Sequence, residues 1–346
     1  MTTRHTELPD TIQAIEHFYE QGLTDGLPVV PPTPQAVQAF LEAGGLAPDE
    51  VLGTRESRNW VVTAQKVAVN AVMAGCLPEY APVVAASVRA MLKPEFNVSG
   101  ISETTSGMSA PMIVVNGPIR HRLKINSGWN LFGPGWRANS TIGRTLRLVL
   151  MNVCNEIPGV TDKSAFGSPA RYTCCIAEDE EGSSWTPYHV EKGFDPSSSA
   201  VSLFAALPPI PVFNYIDNSP QAILDTISHA IAANVNCHGE LVLIISGEHL
   251  LNIEPSGMTK AEVKEYIAEK VNRMSPDLVF DAERAYELGG VTPLEDPVSE
   301  ERTVPTEPHQ LHLYVAGGTG GAVSALVPIF SHGHSSKSVI EPIVEP

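Results

Sequence analysis

The sequence predicts an α/β fold with a mixed or parallel sheet, and three observations carry that expectation. Short apolar, β-branched runs stand at 112–115, 172–176, 201–205, 241–245 and 311–315, and such runs suit strands buried on both faces. Several of them close on a glycine and pass into helical spacing, the strand, turn and helix rhythm of an α/β sheet. Two of these units also look alike. Ile113-Val-Val-Asn-Gly-Pro and Leu243-Ile-Ile-Ser-Gly-Glu each follow a helical stretch containing a cysteine, and each leads to a second glycine at Gly128 and Gly257. An internal duplication is therefore expected.

Taken in order, a helix is expected over 11–22, followed by Asp25-Gly-Leu-Pro-Val-Val-Pro-Pro-Thr-Pro34, where five residues in ten are Pro or Gly and no regular element persists. Helical spacing resumes over 34–43. The Ala- and Val-rich stretch 64–91 reads as two helices broken near Gly75 to Pro78. This divides the chain into an N-terminal helical arm with a Pro-rich loop, residues 1–60, and an α/β core, residues 61–346, with pseudo-symmetric halves at 61–200 and 201–346.

Composition narrows the partners. Twenty-two basic against 39 acidic side chains give a formal charge of −17, which argues against a nucleic-acid surface or an anionic membrane. No apolar run reaches the roughly 20 residues needed to span a bilayer, and residues 1–10 lack a charged-then-apolar signal pattern. A cytoplasmic homo-oligomer is expected. The five cysteines are odd in number and have no C-x-x-C spacing, so free thiols are expected, with neither a disulfide framework nor a metal site.

The most chemical segment is Gly133-Pro-Gly-Trp-Arg-Ala-Asn-Ser-Thr-Ile-Gly-Arg144. Gly133, Pro134 and Gly135 bar helix, Asn139 or Ser140 can cap the apolar run that follows, and a helix N-terminus presents unpaired N–H groups. With Arg137 and Arg144 nearby and Thr141 between them, the loop suits a carboxylate or phosphate. An ordinary capped helix with surface arginines is the competing description.

Other candidates lie at strand ends, where α/β folds bind ligands. These are the Asn116-Gly117-Pro turn, Ser246-Gly-Glu-His249, and Ala316-Gly317-Gly318-Thr-Gly-Gly321. The last could cradle an anion on successive N–H groups. It matches neither the dinucleotide fingerprint nor the P-loop, so neither NAD nor ATP is expected and no other cofactor is specified. Cys76 sits at a helix break, where a thiol can meet a helix N-terminus and lose its proton. Cys175 is followed by Glu178-Asp-Glu-Glu181, whose charges would suppress a thiolate. Both cysteines compete with a role as small buried hydrophobes. His249 could supply a general base, and Glu178 or Glu180 could supply a carboxylate. The acidic run 178–181 and the pairs His309/His312 and His332/His334 read most simply as solvated.

The succession Asp25-Gly-Leu-Pro-Val-Val-Pro-Pro-Thr, Ala68 to Tyr80 around Cys76, Val115-Asn-Gly-Pro118, Gly133 to Arg144, Cys175-Ile-Ala-Glu178 and Ala316-Gly-Gly resembles a largely uncharacterised bacterial family over nearly the whole chain. Members are often paired with, or fused to, a small protein carrying a Sec-or-Cys Gly-Ser-Cys motif. The resemblance implies a two-component thiol or selenol system with a redox partner of that kind. Relatives tend to carry Gly-Lys-His-Ser after the last Gly-Gly turn, whereas this chain has Gly320-Gly-Ala-Val-Ser324 and lacks that cation and imidazole. The expectation is a hydrolase or lyase for a small carboxylate-bearing molecule, one that could carry sulfur or selenium. Arg137, Arg144 and the Asn116 turn would anchor the carboxylate, Cys76 would be the nucleophile, and His249 or Glu178 would move protons. The alternative is a non-catalytic subunit that holds substrate for the partner.

Overall fold

A computed structural model describes residues 10–55, 58–102, 108–234, 239–274, 306–330 and 336–346. In chain order the elements are α1 (Thr11–Glu20), α2 (Pro34–Ala43), β1 (Val51–Arg55), β2 (Trp60–Thr63), α3 (Ala64–Ala74), α4 (Ala81–Met91), α5 (Val98–Ser102), β3 (Ala110–Asn116), α6 (Ile119–Leu123), α7 (Arg137–Asn152), β4 (Cys175–Ala177), α8 (Tyr188–Glu191) and β5 (Ala200–Ala206). There follow β6 (Ile210–Phe213), α9 (Pro220–Ala232), β7 (Leu241–Ile245), α10 (Gly247–Ile253), α11 (Lys260–Met274), β8 (Leu311–Val315), β9 (Val323–Pro328) and β10 (Val339–Pro342). The chain is α/β. Among the described residues no helix is long and apolar enough to cross a membrane.

Two compact units emerge. The first gathers Met1–Glu180, Pro187–Pro208 and Phe330–Pro346, and the second gathers Glu181–Thr186 and Pro209–Ile329.

In unit 1 the expected break of the long Ala- and Val-rich stretch falls at Gly75, whose φ of 91° ends α3 in the left-handed region. The Cys76 N–H then returns to Ala71 O at 2.9 Å, the capping pattern glycine permits there. β1 and β2 form a small antiparallel pair, and the four-stranded sheet runs β10-β5-β3-β4. β3 is parallel to β4 and antiparallel to β5, and β10 is antiparallel to β5. All seven residues of β5 are buried, so the sheet is covered on both faces. α4 packs on β5 and β10, and α7 packs on β3 and β4.

Unit 2 has the other four-stranded sheet, β6-β9-β7-β8. Ile223, Ile227 and Ile231 of α9 and Val263, Ile267 and Val271 of α11 recur every four residues, and they bury against Leu241, Leu243 and Ile245 of β7. That spacing is one stripe of each helix on one sheet.

The two four-stranded sheets share one plan. β7 is parallel to β8 and antiparallel to β9, and β9 is antiparallel to the edge strand β6. Thus β3-α6-α7-β4 followed by β5 matches β7-α10-α11-β8 followed by β9, with β10 and β6 as corresponding edges. The closing bond repeats as well: Glu178 N–H donates to Val115 O at 3.3 Å, and Ala316 N–H to Ile245 O at 3.2 Å. Equivalence therefore pairs Asn116 with Ser246, Gly117 with Gly247, Arg120 with Leu250, Glu178 with Ala316 and Glu180 with Gly318.

Three local expectations are corrected. The strand expected at 172–176 is the shorter β4, because Pro169–Arg171 forms a 3-10 turn and Tyr172 is exposed. α7 begins at Arg137 with Trp136 as its N-cap, ahead of Asn139 and Ser140, and no side chain caps it. Finally, β6, β9 and β10 complete sheets in which the sequence indicated fewer strands.

Candidate functional site

The carboxyl ends of β3 and β4 in unit 1 carry the densest buried chemistry. Asn116 closes β3, and Gly117 follows at φ +87°. A Cβ there would stand 2.2 Å from Ser198 O and 2.6 Å from Ser199 Cα, so backbone excludes any other residue. Pro118 then stands as the N-cap of α6. On the parallel neighbour, Glu178 directly follows β4, and Glu180 lies two residues beyond it.

These ends lock together. Asn116 Nδ2 donates to Glu178 Oε2 at 2.6 Å and to Glu180 Oε1 at 2.9 Å. Gly117 N–H donates to Glu180 Oε1 at 2.7 Å, and Tyr188 N–H to Glu178 Oε2 at 2.8 Å. Arg120 donates to Gly117 O at 2.9 Å and Glu178 O at 2.7 Å, and its Nη2 pairs with Glu180 Oε2 at 2.9 Å. The wholly buried ring of His189 places Nδ1 3.8 Å from Glu180 Oε1. Glu178 and Arg120 are each 3 % exposed; the Glu180 side chain, at 11 %, is the most open of the four charged or titratable groups.

The expected Asn116, Gly117, Glu178 and Glu180 are therefore brought into one cluster, and Arg120 and His189 join them. The expectation of a solvated acidic run fails for Glu178 and Glu180, because the Asn116-Gly117 turn and Arg120 supply buried donors to both. An arginine three residues after a strand-end glycine, and acids just past the neighbouring strand, were the available signal. Fifty-eight residues separate Arg120 from Glu178, so nothing local joined them.

The loop before α7 is partly committed to structure. Arg144 makes a bidentate pair with Asp25, Nε to Oδ2 at 2.8 Å and Nη2 to Oδ1 at 2.7 Å, and also reaches Leu27 O. It fastens the Pro-rich segment, so its donors are already engaged by that acid. Asn139 is buried and splices strand to helix: its Oδ1 accepts from Asn126 N at 2.8 Å, and its Nδ2 donates to Asn126 O and Cys175 O. Thr141 Oγ1 donates back to Arg137 O. Arg137 heads the uncapped helix, and its Nε and Nη2 meet Gly75 O at 3.2 and 3.0 Å on the exposed side.

Cys76 lies beside this turn, its Sγ 3.3 Å from Thr145 Oγ1. The expected helix N-terminus is not its setting, because Gly75 makes the site a helix C-terminus. Burial pushes its thiol up to about 11, and Thr145, Thr141 and Arg137 lower it only in part. Burial likewise raises Cys175 well above the ordinary thiol range, and Cys154 and Cys174 to about 12. Thiolate is suppressed at each of these four thiols.

In unit 2, His249 is buried with Nδ1 2.7 Å from Ser324 Oγ, and burial lowers its pKa. Gly317 and Gly318 take φ of 102° and 70°. Gly318 O accepts Gly247 N–H at 2.8 Å, so the glycine turn closes onto α10. His312 Nε2 lies 3.2 Å from Glu240 Oε2, and among the described residues no group of three His, Cys, Asp or Glu is arranged to hold a metal. Cys237, His332 and His334 lie outside the described residues. No family model matches the chain, and no curated protein matches it with significance.

Proposed function

We propose that unit 1 is an acid–base enzyme, a lyase or hydrolase for a small carboxylate-bearing molecule, acting in the cytoplasm. The observation that carries this is the contrast between equivalent turns. Unit 2 builds the same strand ends with Leu250, Ala316 and Gly318, so the fold does not require charges there. Unit 1 nevertheless buries two glutamates and a guanidinium beside an imidazole, an arrangement whose desolvation is costly and which marks reactive sites. Glu180, the most open of these groups, takes the substrate proton, Glu178 and Arg120 hold it in place, and His189 carries protons onward. Arg137, at the first turn of α7, which no side chain caps, exchanges its contact with Gly75 O for the substrate carboxylate.

Small carboxylates incubated with the protein in D2O, followed by proton NMR, test the reading. Exchange of the hydrogen next to the carboxylate, lost in Glu180→Gln, supports it. An unreactive panel, with Glu180→Gln altering stability alone, assigns the cluster to structure.

A second reading, a subunit that presents substrate to a thiol- or selenol-bearing partner, is favoured by the suppressed thiolates. It expects the described cysteines to resist alkylation at neutral pH, whereas rapid labelling of Cys76 contradicts it.

A further inference from the structure

We propose that a primary ammonium completes the Asn116, Glu178 and Glu180 cluster, so that the substrate is an amino acid or another small amino carboxylate; this rests on the placement of the reaction in unit 1. Asn116 is wholly buried. Its Nδ2 serves both glutamates, while its Oδ1 is buried with no hydrogen-bond partner. The amide cannot be turned over, since that would set Oδ1 against two carboxylate oxygens. What remains is a buried acceptor with two unused lone pairs, a rare condition inside a protein and one that calls for a donor.

The surroundings choose the donor. Any group reaching Oδ1 arrives beside Glu178 and Glu180, of which Arg120 offsets one charge, so the negative charge that remains disfavours an anion and a hydroxyl gains little from it. An ammonium brings three N–H donors and a positive charge, which suits an amide oxygen flanked by carboxylates. A quaternary ammonium brings the charge without the donors. The same carboxylates repel the substrate's own carboxylate, which falls to a cationic group outside the cluster, the role proposed for Arg137.

Calorimetric titration of the full chain tests this with a panel of amino acids, each set beside its deamino analogue, such as propionate for alanine, and its N,N,N-trimethyl derivative. The expected result is at least one amino acid binding tenfold or more tightly than both counterparts, with that preference lost in Glu180→Gln. Should that variant not fold, the three-way comparison on the wild-type protein decides alone. Equal affinity for amino and deamino forms, equal affinity for the trimethyl derivative, or no binding by any amino acid overturns the proposal. Hydrogen exchange on deamino carboxylates alone would sink the ammonium and spare the enzyme reading; amino selectivity without turnover would do the reverse.

Discussion

Two turns built on one plan do different things in this molecule. At the ends of β7 and β8 the glycine pair Gly317-Gly318 returns a backbone carbonyl to Gly247, and the helix behind presents the buried Leu250. At the ends of β3 and β4 the donor Gly117 is answered by the Glu180 carboxylate, and Arg120 occupies the place of Leu250. The first turn is satisfied by backbone and apolar packing, the least costly way to finish a strand end. The second spends side chains on charges that the topology does not need. This contrast separates what the fold demands from what the site adds.

The comparison can be broken in several ways, and the largest effect is expected from forcing unit 2 to resemble unit 1. Leu250→Arg buries a guanidinium with no acid in the equivalent position and should cost about 4 kcal/mol in denaturant unfolding; a neutral result would mean the two helices are not equivalent. Arg120→Leu leaves Glu180 without its counter-charge and should cost about 3 kcal/mol by the same measurement. A loss under about 0.5 kcal/mol would show the pair to be solvent-screened.

Glycine sharpens the contrast at the backbone. Gly117→Ala drives a methyl into Ser198 O and should cost about 3 kcal/mol, whereas Gly317→Ala meets Ser246 Cβ no nearer than 3.9 Å and pays mainly for its φ of 102°, about 1 kcal/mol. Thermal melts that rank the two the other way would contradict the turn assignment.

The smallest effect concerns pH. Burial lowers His249 below its ordinary value of 6.5, so the unfolded chain binds the proton more readily than the native one. Its contribution is present above pH 6.5 and is lost as pH falls below that value. Unfolding of the wild type should therefore ease between pH 6.5 and 5 more steeply than that of His249→Asn, and parallel profiles would show the imidazole to be solvated.

Much of the fold was legible because its signals are local. β7 and β8 match their apolar runs residue for residue, and the helix break at Gly75 was readable from Gly-Cys-Leu-Pro. β6 and β10 were not, because Pro211 and Pro342 sit in these edge strands, where proline is tolerated but disguises strand character. At the site, Asn116 and Gly117 were visible from turn chemistry. Arg120 was not, since a charged residue on a short helix looks solvated until the sheet sets it beside an acid, and Glu180, readable as a carboxylate, stands in an acidic run that looks solvated by itself. The partner of Arg144 was hidden for the same reason, Asp25 being 119 positions away.

The central claim is that the unit 1 charges serve chemistry and are not required by the fold. It is tested most directly by grafting the unit 2 residues onto unit 1, as Asn116→Ser, Arg120→Leu, Glu178→Ala and Glu180→Gly together, and measuring unfolding free energy beside Arg120→Leu alone. Removing every partner at once leaves no charge of the set unpaired, so the graft should recover to within about 1 kcal/mol of wild type. A graft less stable than Arg120→Leu alone would contradict the claim and make the cluster part of what holds unit 1 together.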